Sequence, residues 1–273
     1  MTDKYAVFGN PIAQSKSPFI HGDFAEQTEQ TISYQAMYAE VDEFPATLAA
    51  FWAEGGLGAN VTAPFKQQAY ELCDELSQLA QLAGAVNTLQ RLEDGRVRGD
   101  NTDGVGLVTD LQHHFGALQN KRVLLVGAGG AARGCIKPLL DAGVILTVCN
   151  RTHVKAQSLA EQFKQFGQVD ACPIDELDTA FDIVINSTSA GLAGEIIALP
   201  TNIISSYTDC YDMTYSQQQT VFNQWASKQG ANRVVDGLGM LVGQAAQSFY
   251  IWRNVKPNQE VTMTKLRLQL ARG

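Results

Sequence analysis

Short apolar runs alternate with stretches of helical periodicity along the whole chain, and the texture changes near residue 100. Tyr5-Ala6-Val7-Phe8 reads as a strand stopped by Gly9-Asn10-Pro11. Ser17-Pro18 has the form of a helix start, with proline at the first helical position. Tyr34 to Tyr38 alternates as a second strand, and Glu43 to Trp52 reads as a helix ended by Gly55-Gly56. Leu57 to Thr62 is a short strand running into a turn at Pro64. The recurrence of Leu72, Leu76, Leu79 and Ala83 predicts one helix over Gln67 to Leu82. Val86–Leu89 and Arg96–Gly99 flank Asp94-Gly95, the signature of a hairpin.

From about residue 120 the order becomes strand, turn, helix, strand. Arg122 to Val126 is a nearly continuous apolar run, as a buried parallel strand requires. A helix over Ala131–Ala142 follows, with Pro138 expected to kink it, and then a strand over Val144–Cys149. Thr152 is placed to cap a helix reaching Phe166. Asp182–Asn186, Asp209–Asp212 and Val234-Val235 read as further strands, Thr220–Gln229 and Leu238–Val255 as helices. Strands alternating with helices predict an α/β chain with a doubly wound parallel sheet. The expected organisation is a first domain over 1–102, with helices of about 240–273 packing back on it, and a second domain over 103–239.

Composition narrows the function classes. The 273 residues suit one large domain or two modest ones, and 45% hydrophobic with 18% charged residues is globular composition. Twenty basic against 28 acidic residues give −8, a poor footprint for nucleic acid. No apolar run approaches the roughly 18 residues of a membrane span, and the N-terminus lacks a signal-peptide pattern. A cytoplasmic protein is the expectation. Cys73, Cys135, Cys149, Cys172 and Cys210 form no C-x-x-C pair and are expected to be free thiols, mostly buried. His21, His113, His114 and His153 show no metal spacing, so surface or capping roles are expected and no metal site. Adjacent His113 and His114 should point apart on a helix.

The chemistry starts at Gly127-Ala128-Gly129-Gly130-Ala131-Ala132, a G-x-G-x-x-A turn between a predicted strand and helix. Gly127 permits the tight turn, Gly129 lets a pyrophosphate approach, and Ala132 lets helix and strand pack closely. The end of the next strand holds Asn150-Arg151-Thr152, with Lys155 just beyond, where an NAD site would carry a carboxylate. A guanidinium there can hold a 2′-phosphate, so NADP is the expected cofactor. In the first domain, Ser15-Lys16-Ser17-Pro18 presents two hydroxyls and an ammonium near a helix N-terminus, which suits a carboxylate. Asn60-Val61-Thr62-Ala63-Pro64-Phe65-Lys66 places a lysine past a proline turn, and Asn101-Thr102-Asp103-Gly104 places a carboxylate at the domain boundary.

Together with Gly84-Ala85-Val86-Asn87-Thr88, Tyr211-Asp212-Met213-x-Tyr215 and Asp236-Gly237-Leu238-Gly239-Met240-Leu241, these motifs give a chain that resembles the NADP-dependent shikimate dehydrogenase family over nearly its whole length. The resemblance implies an N-terminal α/β substrate domain, a Rossmann-type NADP domain and a cleft between them. It implies reversible NADPH-dependent reduction of 3-dehydroshikimate to shikimate, within aromatic amino-acid biosynthesis. Lys66 and Asp103 are then the catalytic pair, Lys66 as acid/base with Asp103 orienting it, and which of the two groups titrates stays open. Ser15 and Ser17 hold the substrate carboxylate with Tyr215 nearby, while Thr62, Lys66, Asn87, Asp103 and Gln244 surround the ring hydroxyls. Gly127, Ala128, Gly129, Gly130, Ala131, Asn150, Arg151, Thr152 and Lys155 hold the cofactor, with Thr188, Ser189, Met213, Gly237 and Met240 on its nicotinamide side. Gln217 stands where some relatives carry proline, which affects only that loop. Partners are small molecules, in a monomer or homodimer. Two other readings stay open: a family member preferring quinate or NAD, and a catalytically silent NADP-binding sensor of the same fold.

Overall fold

The computed structural model describes residues 2–272 except Gly194, Ile196 and Ile197. The chain divides into two compact units, Met1–Gly106 with Val242–Gly273, and Leu107–Leu241.

The first unit contains β1 (Asp3–Gly9), α1 (Ser17–Gln27), β2 (Ile32–Tyr38), α2 (Phe44–Ala53), β3 (Gly56–Val61), α3 (Lys66–Glu71), β4 (Glu75–Leu76), α4 (Gln78–Ala83), β5 (Thr88–Arg91) and β6 (Val97–Asp100). Its sheet runs β2-β1-β3-β5-β6-β4. The β1 strand pairs parallel with β2 and β3, whereas β5 is antiparallel to both β3 and β6. Phe8, Phe44, Phe51 and Phe65 anchor its core, and Phe44 stacks on Phe65 at 4.5 Å between ring centroids. That stack fixes the residue immediately before Lys66.

The single helix expected over Gln67–Leu82 is two short helices separated by a strand. Leucine spacing misled because Glu75 and Leu76 pair instead with Arg98 and Gly99 of β6. Ser77 then starts a new helix, its hydroxyl accepting from the Ala80 N–H at 3.1 Å, and Gly84 ends it in the left-handed region at φ 62°.

The second unit takes in most of α5 (Asp103–Phe115), followed by β7 (Arg122–Val126), α6 (Gly130–Asp141), β8 (Ile145–Cys149), α7 (His153–Phe163), β9 (Val169–Ala171), β10 (Ile183–Asn186), β11 (Asp209–Asp212), α8 (Val221–Lys228) and β12 (Arg233–Asp236). Its sheet is parallel throughout, in the order β12-β11-β10-β7-β8-β9. Counted within the unit this is the doubly wound 3-2-1-4-5-6 order, with the switch between β7 and β10. The α6 helix runs through buried Pro138 to Asp141. Thr152 precedes α7 without a side-chain cap bond, so that helix lacks the expected hydroxyl cap. The last helices are α9 (Leu238–Arg253) and α10 (Gln259–Arg272). The unit boundaries fall inside α5 and α9.

Two expectations for histidines fail. His21 is completely buried rather than superficial, stacked on Tyr34 at 4.2 Å and flanked by Phe24, Phe249 and Trp252. The His113 and His114 rings meet edge to face at 4.8 Å instead of diverging, with His114 Nε2 3.4 Å from the buried Asp110 carboxylate. All five cysteines are free, and burial pushes the Cys73, Cys149 and Cys210 thiols up to about 12. No helix among the described residues is long and apolar enough to cross a membrane, and none of their side chains form a group suited to a metal ion.

Candidate active site

In the first unit, Lys66 opens α3 directly after the buried Phe65, so its backbone is held by the core while its side chain is one-third exposed. Its carbonyl accepts from the Val86 N–H at 2.9 Å, which ties α3 to the segment that leads through Asn87 into β5. Lys66 Nζ donates to Asp103 Oδ2 at 2.6 Å. Asp103 sits in the first turn of α5, its N–H bonded to Asn101 Oδ1 at 3.2 Å. Asn101 in turn donates to the Ala85 carbonyl at 3.1 Å. A carboxylate in a first helical turn is favoured by the helix dipole.

Asn87 faces this pair. Its Nδ2 donates to Asp103 Oδ1 at 2.8 Å and lies 3.3 Å from Gln244 Oε1 on α9. Lys66, Asp103, Asn87 and Gln244 are therefore one hydrogen-bonded group. Thr62 stands at the end of β3, its N–H on the Phe8 carbonyl at 2.9 Å and its own carbonyl accepting from Phe65 at 3.0 Å. Ser15 and Ser17 are joined at the start of α1, Ser15 Oγ accepting from the Ser17 N–H at 3.3 Å. Burial holds the Tyr34 phenol well above its ordinary range, opposed by a hydrogen bond with Ser17, so it stays a neutral donor. That donor reaches Asn60 Oδ1 at 2.7 Å.

In the second unit the remaining candidates cluster at the carboxyl ends of parallel strands, where open α/β sheets bind ligands. Gly127 follows β7 with φ +112°, and a Cβ there would lie 2.6 Å from Ser187 Oγ and 3.0 Å from Thr188 Cγ2. It adjoins the β10 loop across the switch point. A Cβ on Gly129 or Gly130 would meet nothing within 4 Å. The N-terminus of α6 is also uncapped by any side chain. Bare backbone facing open space at a helix start fits a pyrophosphate. Ala128 and Ala131 complete the turn. Asn150, Arg151 and Thr152 follow β8, Asn150 bracing the turn through the Thr152 carbonyl at 3.0 Å, and Arg151 and Lys155 are exposed. No carboxylate occupies the strand end, so these residues fit a 2′-phosphate.

Thr188 and Ser189 follow β10, Met213 and Tyr215 follow β11, and Gly237 and Met240 follow β12. Asn186, and Asp212 of the Tyr211-Asp212-Met213 motif, had no role assigned from sequence, yet they bind these loops together. Asn186 Nδ2 donates to Asp212 Oδ1 at 3.1 Å, and Asn186 Oδ1 accepts from the Thr188 hydroxyl at 2.8 Å. Asp212 Oδ1 also accepts from the Thr214 N–H at 3.1 Å. A Cβ on Gly237 would overlap the Met213 carbonyl, so only glycine fits. Burial raises the Tyr215 phenol.

A Rossmann-ordered sheet with a bare glycine turn, together with a lysine–carboxylate pair, defines a dinucleotide-dependent oxidoreductase. Comparison with known proteins narrows that class. Residues 7–89 match the shikimate dehydrogenase substrate binding domain, residues 110–200 the shikimate/quinate 5-dehydrogenase family, and residues 237–267 the shikimate 5'-dehydrogenase C-terminal domain. The shikimate dehydrogenase (NADP(+)) of Shewanella woodyi is 57% identical over 267 residues, covering 98% of each chain. The crystal structure of an Ael1 enzyme from Pseudomonas putida superposes with a TM-score of 0.93 at 42% identity, covering 97% of this chain and 98% of that one. Shikimate 5-dehydrogenase from Thermus thermophilus, in complex with NADP(H) and shikimate, gives 0.87 at 31% identity over 98% of this chain and all of that one. The chain belongs to the shikimate dehydrogenase family.

Proposed function

We propose that the chain catalyses the reversible NADPH-dependent reduction of 3-dehydroshikimate to shikimate. The observation that carries this reading is the Lys66–Asp103 contact of 2.6 Å, with Asn87 and Gln244 gathered on the same carboxylate and amide. NADPH, when bound, supplies the hydride. As the carbonyl oxygen becomes an alkoxide, the Lys66 ammonium stabilises the developing charge and donates the proton. Asp103 keeps that ammonium in place through Oδ2 and has its other oxygen anchored by Asn87. Ser15 and Ser17 take the substrate carboxylate with Tyr215, and Thr62, Asn87, Asp103 and Gln244 take the ring hydroxyls. A polar cage of this kind rejects analogues lacking a hydroxyl, because its own groups are then left unpaired.

Gly127 to Ala131 hold the pyrophosphate, and Asn150, Arg151, Thr152 and Lys155 the 2′-phosphate. Thr188, Ser189, Met213, Gly237 and Met240 frame the nicotinamide. Five free thiols suit a reducing compartment, and the cytoplasm is the proposed location.

The test is absorbance at the NADPH band with shikimate and NADP, run beside NAD and quinate. Turnover with shikimate and NADP well above the other pairs is expected, and equal rates with NAD would remove Arg151 as the selector. Lys66→Ala should lower kcat by at least about a hundredfold with little change in KM. An unchanged kcat would take Lys66 out of the mechanism and favour a silent nucleotide-binding sensor.

A further inference from the structure

Behind Asn87 lies a second layer of buried polar groups that the proposed chemistry leaves without a role: Asn60, Thr88, Thr102 and Ser248. Three partners of fixed character set its directions. The Asn87 carbonyl, which only accepts, takes Asn60 Nδ2 at 3.1 Å and so fixes the Asn60 amide. The Thr102 N–H, which only donates, gives to Asn87 Oδ1 at 3.0 Å. The Asp103 carboxylate accepts from Asn87 Nδ2, which fixes the Asn87 amide the same way round.

Thr88 Oγ1, in a residue 1% exposed, then lies 3.2 Å from the donor Asn60 Nδ2 and 2.8 Å from the acceptor Asn87 Oδ1. It accepts from Asn60, and its single proton goes to Asn87. Ser248 Oγ lies 2.7 Å from Thr88 Oγ1 and donates to the Gln244 carbonyl at 3.0 Å. The result is a directed series, Asn60 to Thr88 to Asn87 to Asp103, in which each donor polarises the next. The Thr102 hydroxyl, 3.0 Å from Asn87 Nδ2 and 3.2 Å from Oδ1, fits either amide orientation and so cannot choose between them.

We infer that Thr88 is a positioning residue: its hydroxyl locks the Asn87 amide so that its N–H groups face Asp103 and the substrate. This rests on the proposed role of Asn87. Without the Thr88 proton, Asn87 Oδ1 keeps the Thr102 N–H, but Asn60 and Ser248 lose a shared partner in a buried site, and the amide is held less firmly against the Asp103 carboxylate.

The test is a double-mutant cycle on shikimate oxidation with Thr88→Val, which keeps the volume, and Asn87→Ala. Thr88→Val alone should lower kcat/KM for shikimate about fivefold or more, the scale of one buried hydrogen bond, with KM for NADP unchanged. Thr88→Ser should return kcat/KM to within about twofold of wild type. In the Asn87→Ala background, Thr88→Val should cost less than about twofold, because its route of action is gone. An equal loss in both backgrounds would overturn the inference and leave Thr88 a structural residue. So would a wild-type kcat/KM in Thr88→Val, or a parallel rise in KM for NADP. Wild-type protein without shikimate oxidation would overturn the functional reading and this inference together.

Discussion

His21 has both ring nitrogens without a hydrogen-bond partner and lies wholly inside an aromatic cluster. Burial lowers it to about 3, against 6.5 in an unfolded chain. Between those values the unfolded state holds a proton that the folded state does not, so stability rises with pH across the window and is lost as pH falls through it. His21→Phe should flatten this dependence. Its melting temperature at about pH 5 should lie closer to that at about pH 7.5 than in wild type, and an unaltered slope would show that other groups set it. The same residue marks how far single positions were legible. Lys66, Asn87 and Asp103 stood out because each lies in a short polar motif at an element's end. Asn60 and Thr88 lie in the same motifs, but their role, like that of Ser248, shows only in three dimensions, since Ser248 approaches Thr88 across 160 positions of sequence. Isolated hydroxyls and amides read as caps, turns or surface until their partners are known.

Among the elements, the turn from β7 into α6 offers a paired prediction. Gly127→Ala combines a positive φ with a clash against Ser187 and Thr188, and should destabilise the fold by about 1–3 kcal/mol. Gly129→Ala meets open space and has an ordinary φ of −88°, so its melting temperature should match wild type. Its NADP affinity should nevertheless fall roughly tenfold, about 1.4 kcal/mol. Equal melting losses in both variants would contradict this assignment. The parallel strands of the second sheet were readable because strands buried on both faces are continuous apolar runs. The segment 66–83 was not, because a two-residue pairing with β6 overrode a leucine spacing that suits a helix.

For the whole molecule, the net charge of −8 gives no argument against anionic ligands, because local cations govern a site more than the sum does. The proposed division of labour predicts where ligands protect the backbone. In hydrogen exchange, NADP should slow exchange chiefly within residues 107–241, and shikimate chiefly within 1–106 and 242–273. Protection by NADP centred on the first unit would refute it.

The first unit is discontinuous in sequence, closed by Val242–Gly273. Trp252 donates to the Leu89 carbonyl, and Lys265 pairs with the buried Asp23 of α1. On the ribosome these contacts form last. The unit begun first is therefore finished after the one encoded in its middle, and a chain terminated near residue 241 would carry Lys66 and Asp103 but lack Gln244 and Ser248.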